Sequence, residues 1–483
     1  PCAASTWTRP RRLLRTRMFA VHFRQLFTRR VTSPRTMSMH ALADVSPVLR
    51  HALATKPAVF DSKGVADAPV AIFYDLDLWD ETLRACKDAF GPTFKHCSAM
   101  KSNCLTTMLR RAHFEHGFGV EAASIGELLH ARRIGIPDSM IVFDSPCKTF
   151  SELEFALLHG IYTNLDNLQE LKRAQTLEHI NGSVGVRINP RVGAGTIAAL
   201  SVSTEDSKFG CDISNAGTKA EVLKAYQTSK WLDAVHVHVG SGGMGGAMLA
   251  AGVRVAVDLA LEINALVGFQ QVKIIDVGGG LPANYASDAL TSAAVPSFAE
   301  YADLLRSAAP ELFSGAFQVV TEFGQSLHAK TAFAASRIEW VKEHSSRRTA
   351  IIHFGADLGV RQAYTTDHKR RFEAFRADGT AFSAEEAASA AKTVVGGPLC
   401  FQGDIMAKDL DLPTALKPGD FIVMKDAGSN TLSLFSRHCS RLAPPVYGFR
   451  RGQGGAMEDL VELKARETAE SISSFWGAPD ATH

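Results

Sequence analysis

Between Phe94 and Thr321 the chain alternates short apolar runs with longer amphipathic stretches, and this alternation limits the fold more than any single motif. Eight runs have the length and composition of buried strands: Phe94–Met100, Gly117–Glu121, Met140–Phe143, Tyr162–Leu165, Val184–Ile188, Ala234–Val239, Ile274–Val277 and Gln318–Thr321. Helix signals lie around and between them. Leu78–Phe90 sets Trp79, Leu83, Cys86 and Phe90 on one face. Thr149 and Glu152 make a capping box ahead of Leu153, Gly160 closes that helix, and Asp166 is expected to cap the next, which carries Leu168 and Leu171. Parallel strands need helical crossovers of this kind. Eight strand–helix units over about 250 residues have the dimensions of a (β/α)₈ barrel. A doubly wound open sheet would put G-x-G-x-x-G after its first strand, and that fingerprint is absent.

Beyond residue 333 the alternation stops. Arg337–Val341 and Thr349–Phe354 flank the polar residues His344, Ser345 and Ser346 and predict a β-hairpin. Thr393–Val395 and Phe421–Met424 are further β-like runs, with the turn Lys417-Pro418-Gly419-Asp420 between them; Ala381–Ala391 has helical composition. The expected fold class is therefore α/β: a (β/α)₈ barrel over residues 75–332 with a second, mainly β domain, sandwich or barrel-like, drawn from residues 40–74 and 333–483. At 483 residues the chain is long enough for two folded units.

Charge separates a third segment. Residues 1–40 hold nine Arg and no Asp, Glu or Lys, leaving 43 basic against 50 acidic residues, a balance of −7, in the rest. An Arg-rich, acid-free, hydroxyl-containing segment over residues 1–39 has the composition of an organellar transit peptide, so the expected location is a mitochondrion or plastid; read as a plain solvated tail, it leaves the protein cytoplasmic. The acidic body argues against a nucleic-acid partner. No window approaches 18 uninterrupted apolar residues, so no membrane span is expected. The eight Cys show no C-x-x-C and no pairing pattern, which predicts a reduced compartment and no metal site.

Functional residues of such barrels stand at the C-terminal ends of strands, where phosphate often binds after the seventh and eighth. Those ends carry Lys101, Glu121, Arg187, His238-Val239-Gly240-Ser241, Gly278-Gly279-Gly280 and Glu322. Taken singly, each has a plainer explanation: Lys101 as a rim charge, His238 or its neighbour His236 as a core histidine, the glycines as a turn, Glu322 as a salt-bridge partner. Taken together around one mouth, they supply what pyridoxal phosphate (PLP) requires: a lysine amine, a backbone cradle for phosphate and an acid for the pyridine nitrogen. The apolar run before Lys101 predicts a buried stem and a depressed lysine pKa.

The chain resembles the fold-type III PLP-dependent amino acid decarboxylases, which include the ornithine, arginine, diaminopimelate and carboxynorspermidine enzymes. The resemblance runs in collinear order from about residue 68 to 450 through F-K-H-C-S-A-M-K-S-N, G-F-G-V-E-A-A-S-I-G-E-L, V-R-I-N-P, S-K-F-G, H-V-H-V-G-S-G-G, I-I-D-V-G-G-G-L-P, T-E-F-G, G-G-P-L-C and P-G-D. It implies that Lys101 binds PLP covalently and His238 stacks on its ring. Ser241 and Gly278, Gly279 and Gly280 would hold the phosphate, and Glu322 the pyridinium nitrogen. Glu121, Glu127 and Arg187 match polar positions around them, and Ser207–Gly210 a loop over the site. Cys400 would be the proton donor, reaching in from the partner of a head-to-tail homodimer.

Three positions depart from the family pattern. Gln325 replaces a phosphate-contacting Arg, Asn430 an aromatic phosphate ligand, and Phe401 the acid that meets a basic substrate's distal amine. An apolar Phe401 disfavours an unpaired ammonium there, which predicts a substrate other than simple ornithine or lysine. Arg361 and Tyr364, in Arg361-Gln362-Ala363-Tyr364, echo the R-P-x-L-Y of diaminopimelate decarboxylases and are candidates for a distal carboxylate. Arg437 and Arg441 are candidates to restore the lost anion contacts. The expected activity is decarboxylation of an L-α-amino acid to an amine and CO2. The alternatives are an inactive homologue acting as a binding or regulatory subunit, and a racemase or other PLP lyase on the same barrel.

Overall fold

In chain order, β1 (Val70–Asp75) precedes nine strands of a first sheet: β2 (Phe94–Ala99), β3 (Gly119–Ala122), β4 (Ile141–Asp144), β5 (Tyr162–Leu165), β6 (Val184–Asn189), the two-residue β7 (Cys211–Asp212), β8 (Leu232–Val237), β9 (Ile274–Asp276) and β10 (Gln318–Phe323). Every pairing in this sheet is parallel. β10 lies between β9 and β2, and β5 pairs with β6, so eight strands close into a barrel while β7 only extends β6. The computed structural model describes residues 44–61, 64, 68–195, 201–285, 295–344, 347–365, 370–452 and 456–477. The Arg-rich segment of the first 39 residues and the turn residues 345–346 lie outside them. Among the described residues no helix is long and apolar enough to cross a membrane.

All eight predicted barrel strands are present, and the differences are local. The run expected from Gly117 begins at Gly119, because Gly117 takes φ +72° and ends the helix Thr106–His116. The helix predicted from Leu78 starts at Leu76, capped by Asp75, whose Oδ1 accepts from the Leu78 N–H at 3.0 Å. Asp166 does not cap the helix Leu168–Ala174. Asn167 does, accepting from the Glu170 N–H, while Asp166 Oδ1 accepts from the Gly210 N–H at 3.2 Å.

The second sheet contains β1, β11 (Ala332–His344), β12 (Arg347–Ile352), β13 (Phe372–Phe375), β14 (Ala390–Gly396), β15 (Ile405–Pro413), β16 (Phe421–Met424), β17 (Val446–Phe449) and β18 (Val461–Lys464). The predicted hairpin is the antiparallel β11–β12 pair; the helix expected over Ala381–Ala391 is only Ala384–Ala388, since Ala390 already belongs to β14. β1 stands inside this sheet, antiparallel to β11 and parallel to β17, and leads directly into the first barrel helix. Its side chains alternate between two cores. Ile72 and Tyr74 pack into the large core shared with the barrel helices; Ala71 and Phe73 pack with Phe333, Val423 and Phe449 and with Val48, Leu49 and Ala52 of the helix Ser46–Thr55. A buried Phe such as Phe73, stacked on Phe333 at 5.2 Å, is worth about 1.5–3 kcal/mol. The sheet is thereby fixed against the barrel at the strand that feeds it.

Candidate active site

Inside the barrel, Cys97, Val142, Tyr162, Ala234, Ile274 and Val320 form one apolar layer. Side chains two positions apart on a strand share a face, so the next residue on that face belongs to the layer above. Those residues are Asp144 on β4, Asn164 on β5, His236 on β8, Asp276 on β9 and Glu322 on β10; Glu121 and Arg187 come from β3 and β6, and Lys101 stands just past β2. All except Lys101 are buried. Every one of the eight strands places a polar group in one mouth.

Lys101 sits in a tight turn in which the Ser102 N–H donates to the Ala99 carbonyl, and its Nζ lies 2.7 and 2.8 Å from the two oxygens of Glu121. Its side chain is 47% exposed while Glu121 is fully covered. The depressed lysine pKa expected from the sequence is reversed. Burial pushes the ammonium down, but the charges of Glu121, Glu322 and Asp144 outweigh it, and the pKa lies above the ordinary lysine value. Opposite, Arg187 Nη1 bonds Asp144 Oδ2 at 2.9 Å, and Asp144 lies below the usual carboxylate range because Arg187 and His236 outweigh its burial. Burial and the neighbouring Glu322 push Asp276 up, although it accepts from the Gly278 N–H and from Asn164.

His238 is neutral: burial, then Arg187 and Lys101, hold it well below the ordinary imidazole value. Its Nδ1 accepts from the Gly279 N–H at 3.0 Å, which assigns its proton to Nε2. The three glycines are required by close packing. A Cβ at Gly279 would lie 2.4 Å from the Glu322 carbonyl oxygen, and one at Gly280, where φ is +93°, 2.1 Å from that of Gly240. Gln325 Nε2 donates to the Ser241 carbonyl at 2.7 Å, so this neutral side chain ties β10 to the Ser241 loop. Asn430 takes φ +51°, receives no aromatic role, and donates through its backbone to Ser102 and through Nδ2 to Ser429.

PLP fits this mouth on two observations. Neither oxygen of the buried Glu322 has a hydrogen-bond partner, as a carboxylate reserved for a protonated ring nitrogen would have none. The glycine loop beside Ser241 packs so closely on the backbone of β8 and β10 that it carries no side chain, leaving its backbone available to a phosphate.

Other predicted residues lie elsewhere. Glu127 accepts from the Ala123 N–H and borders Cys104 behind the mouth. In the Ser207–Gly210 loop, Phe209 packs under Arg187 at 4.5 Å. Cys400 is exposed, Phe401 stacks on the exposed Tyr364 at 5.9 Å, and His438 meets Phe401 edge-on. Among the described residues no hydrogen bond, ion pair or ring contact joins Cys400, Phe401 or Tyr364 to Lys101, His238 or Glu322. Arg361 is half-buried and its Nη1 has no hydrogen-bond partner; it lies in the field of Tyr285. The anion-restoring roles expected of Arg437 and Arg441 do not hold: Arg437 pairs with Glu467, and Arg441 donates to the His353 carbonyl and faces Asp357. Sequence reasoning missed Asp144, Asn164 and Arg370. Strand-end position alone marks the first two. Arg370 is a buried guanidinium that bonds Thr431 and the Ser429 carbonyl beside Asn430, and no motif announces it.

Comparison with known proteins adds the lineage. Residues 77–329 match the model of the pyridoxal-dependent decarboxylase, pyridoxal binding domain. A diaminopimelate decarboxylase of Archaeoglobus fulgidus is 28% identical over 379 residues, 75% of this chain and 84% of that one. The L-glutamyl-[BtrI acyl-carrier protein] decarboxylase of Niallia circulans is 26% identical over 408 residues, 83% and 91%. The crystal structure of diaminopimelate decarboxylase from Helicobacter pylori complexed with L-lysine superposes with a TM-score of 0.71 at 25% identity, covering 84% of this chain and 96% of that one.

Proposed function

The chain belongs to the pyridoxal-dependent decarboxylases, and from that premise we propose that it decarboxylates an L-α-amino acid whose distal end carries a carboxylate or acyl group in place of a lone ammonium. That it is a PLP-dependent carboxy-lyase follows from the family and its relatives. The substrate class rests on one observation: a half-buried guanidinium, Arg361, with an unpartnered Nη1, on the same short helix whose Tyr364 stacks on Phe401. A cation awaiting an anion and an aromatic in place of an acid both disfavour a substrate ending in ammonium. The relatives named for diaminopimelate and for an L-glutamyl acyl-carrier protein agree with that class.

When bound, PLP supplies an electron-accepting ring that takes up the electron pair left as CO2 departs. The chain supplies the rest. Lys101 Nζ is the amine for covalent attachment, and Glu121, in contact with it through both oxygens, takes the proton that an ammonium must lose before it can act as a nucleophile. Glu322 would hold the ring nitrogen, Ser241 and the Gly278–Gly280 backbone would hold the phosphate, and neutral His238 would lie against the ring. Cys400 delivers a proton from Sγ to the carbon that lost CO2. Cys400 is exposed in its own chain, and we propose that it serves the site of a second copy, in a head-to-tail homodimer.

CO2 release over meso-diaminopimelate, L-glutamate, L-ornithine, L-lysine and L-arginine tests the reading. Turnover on a carboxylate-ended substrate above that on ornithine and lysine supports it; preference for ornithine or lysine contradicts it.

A further inference from the structure

His236 has no exposure, and neither of its ring nitrogens has a hydrogen-bond partner. It stands between two carboxylates, with Nδ1 3.8 Å from Asp144 Oδ1 and Nε2 3.6 Å from Glu322 Oε2. A neutral imidazole buried without hydrogen bonds leaves both ring nitrogens desolvated and uncompensated; an imidazolium between two anions is attracted to both. The charged groups that face it come from every side: Asp144 on β4, Arg187 on β6, Asp276 on β9 and Glu322 on β10, with Lys101 and Glu121 across the mouth and neutral His238 two residues along its own strand. Burial pushes the imidazole down, but Asp144, Glu322 and Asp276 outweigh it, and the pKa is pushed up to about 9.

We infer that His236 is a positioning residue for the cofactor: as an imidazolium it anchors Oε2 of Glu322 to the Asp144–Arg187 pair and leaves Oε1 for the ring nitrogen. This rests on the role given to Glu322 above. It assigns a task to the first histidine of His236-Val237-His238, which the reaction otherwise leaves idle. The contact distances are longer than hydrogen bonds, so the link between His236 and Glu322 is electrostatic and depends on the proton.

The test uses the purified full chain, titrated with PLP from about pH 6 to about pH 10 and followed by visible absorbance and by dissociation constant, for wild type, His236→Gln and Asp144→Asn. Wild type is expected to bind with steady affinity at neutral pH and to weaken as pH rises through about 9. His236→Gln is expected to bind about tenfold more weakly at neutral pH, ~1.4 kcal/mol, and to lose that alkaline limb. Asp144→Asn keeps the imidazole but removes one of its two anions, so its limb moves to lower pH. A His236→Gln protein with a wild-type circular dichroism spectrum, affinity and alkaline limb overturns the inference. So does an Asp144→Asn limb that stays in place, which keeps the test decisive if His236→Gln fails to fold. Wild type that develops no cofactor absorbance defeats the proposed function itself, and this inference with it.

Discussion

The barrel mouth and the β14–β15 loop, to which the proposed function gives the two halves of the chemistry, are built on opposite terms. In the mouth, seven strands gather Lys101, Glu121, Asp144, Arg187, His236, Asp276 and Glu322, and all but Lys101 are buried. In the loop, Cys400 is exposed and Phe401 leans on a Tyr364 that is itself 63% exposed. The mouth sets its own protonation states within one chain. The loop has none of that support, and in the proposed function it serves the site of a second copy. A buried cluster of opposite charges fixes where electrons and protons rest; an exposed thiol on a tethered loop can be presented from a second molecule.

The contrast breaks most easily at Cys400. Cys400→Ala is expected to lower kcat about hundredfold, the size of a general acid, with KM and the cofactor spectrum little changed; a spectral change would mean that Cys400 belongs to the mouth. Mixing Cys400→Ala with Lys101→Ala chains sharpens the point. Random two-fold pairing leaves one intact site in half of the dimers, so activity recovers to about a quarter of wild type if the loop serves the partner. No recovery, with heterodimers shown to form, would place both halves in one chain.

Arg361 tests the distal end. Arg361→Met is expected to raise KM for a carboxylate-ended substrate by at least about tenfold, the worth of a charged hydrogen bond, with kcat nearly intact. An unchanged KM removes Arg361 from the substrate.

The smallest effect concerns the layer behind the mouth. His328 accepts from the Trp79 indole at 3.1 Å and meets Ser98 at 2.9 Å, while His96 meets Thr321 at 2.8 Å. Burial holds His328 down to about 3 and His96, with some help from Lys87, to about 4. The unfolded value is about 6.5, so both stabilise fully above that pH and lose their contribution as pH falls toward their folded values. Thermal melts are expected to drop by several degrees from neutral pH to about pH 5, and less steeply in His328→Gln; an identical acid slope in the variant would show that His328 is not a source.

The same two regions show what a sequence reveals. The barrel was legible because strands buried on both faces read as short apolar runs separated by capped helices. β15, at the edge of the second sheet, was not: Ile405–Pro413 carries Lys408, Asp409 and Asp411, which face solvent and resemble a loop. β1 was missed as a strand because its partners β11 and β17 lie beyond the entire barrel. In the site, motif order located Lys101, His238, the three glycines and Glu322. It gave the wrong direction for the lysine pKa, since the apolar run before Lys101 is local whereas Glu121 arrives from the neighbouring strand. His236 read as a core histidine for the same reason, because its two carboxylates come from β4 and β10. At Asp166 and Asn167, adjacent residues could each cap, and only the folded loop at Gly210 separates them.

The central claim, that the mouth around Lys101 is the cofactor-dependent decarboxylation centre, is tested most directly by measuring visible absorbance and CO2 release together for wild type and Lys101→Ala reconstituted with PLP. The expected result is a visible band and CO2 release in wild type, with both abolished in Lys101→Ala while its circular dichroism spectrum is unchanged. A Lys101→Ala protein that keeps the band and releases CO2 at the wild-type rate would contradict it.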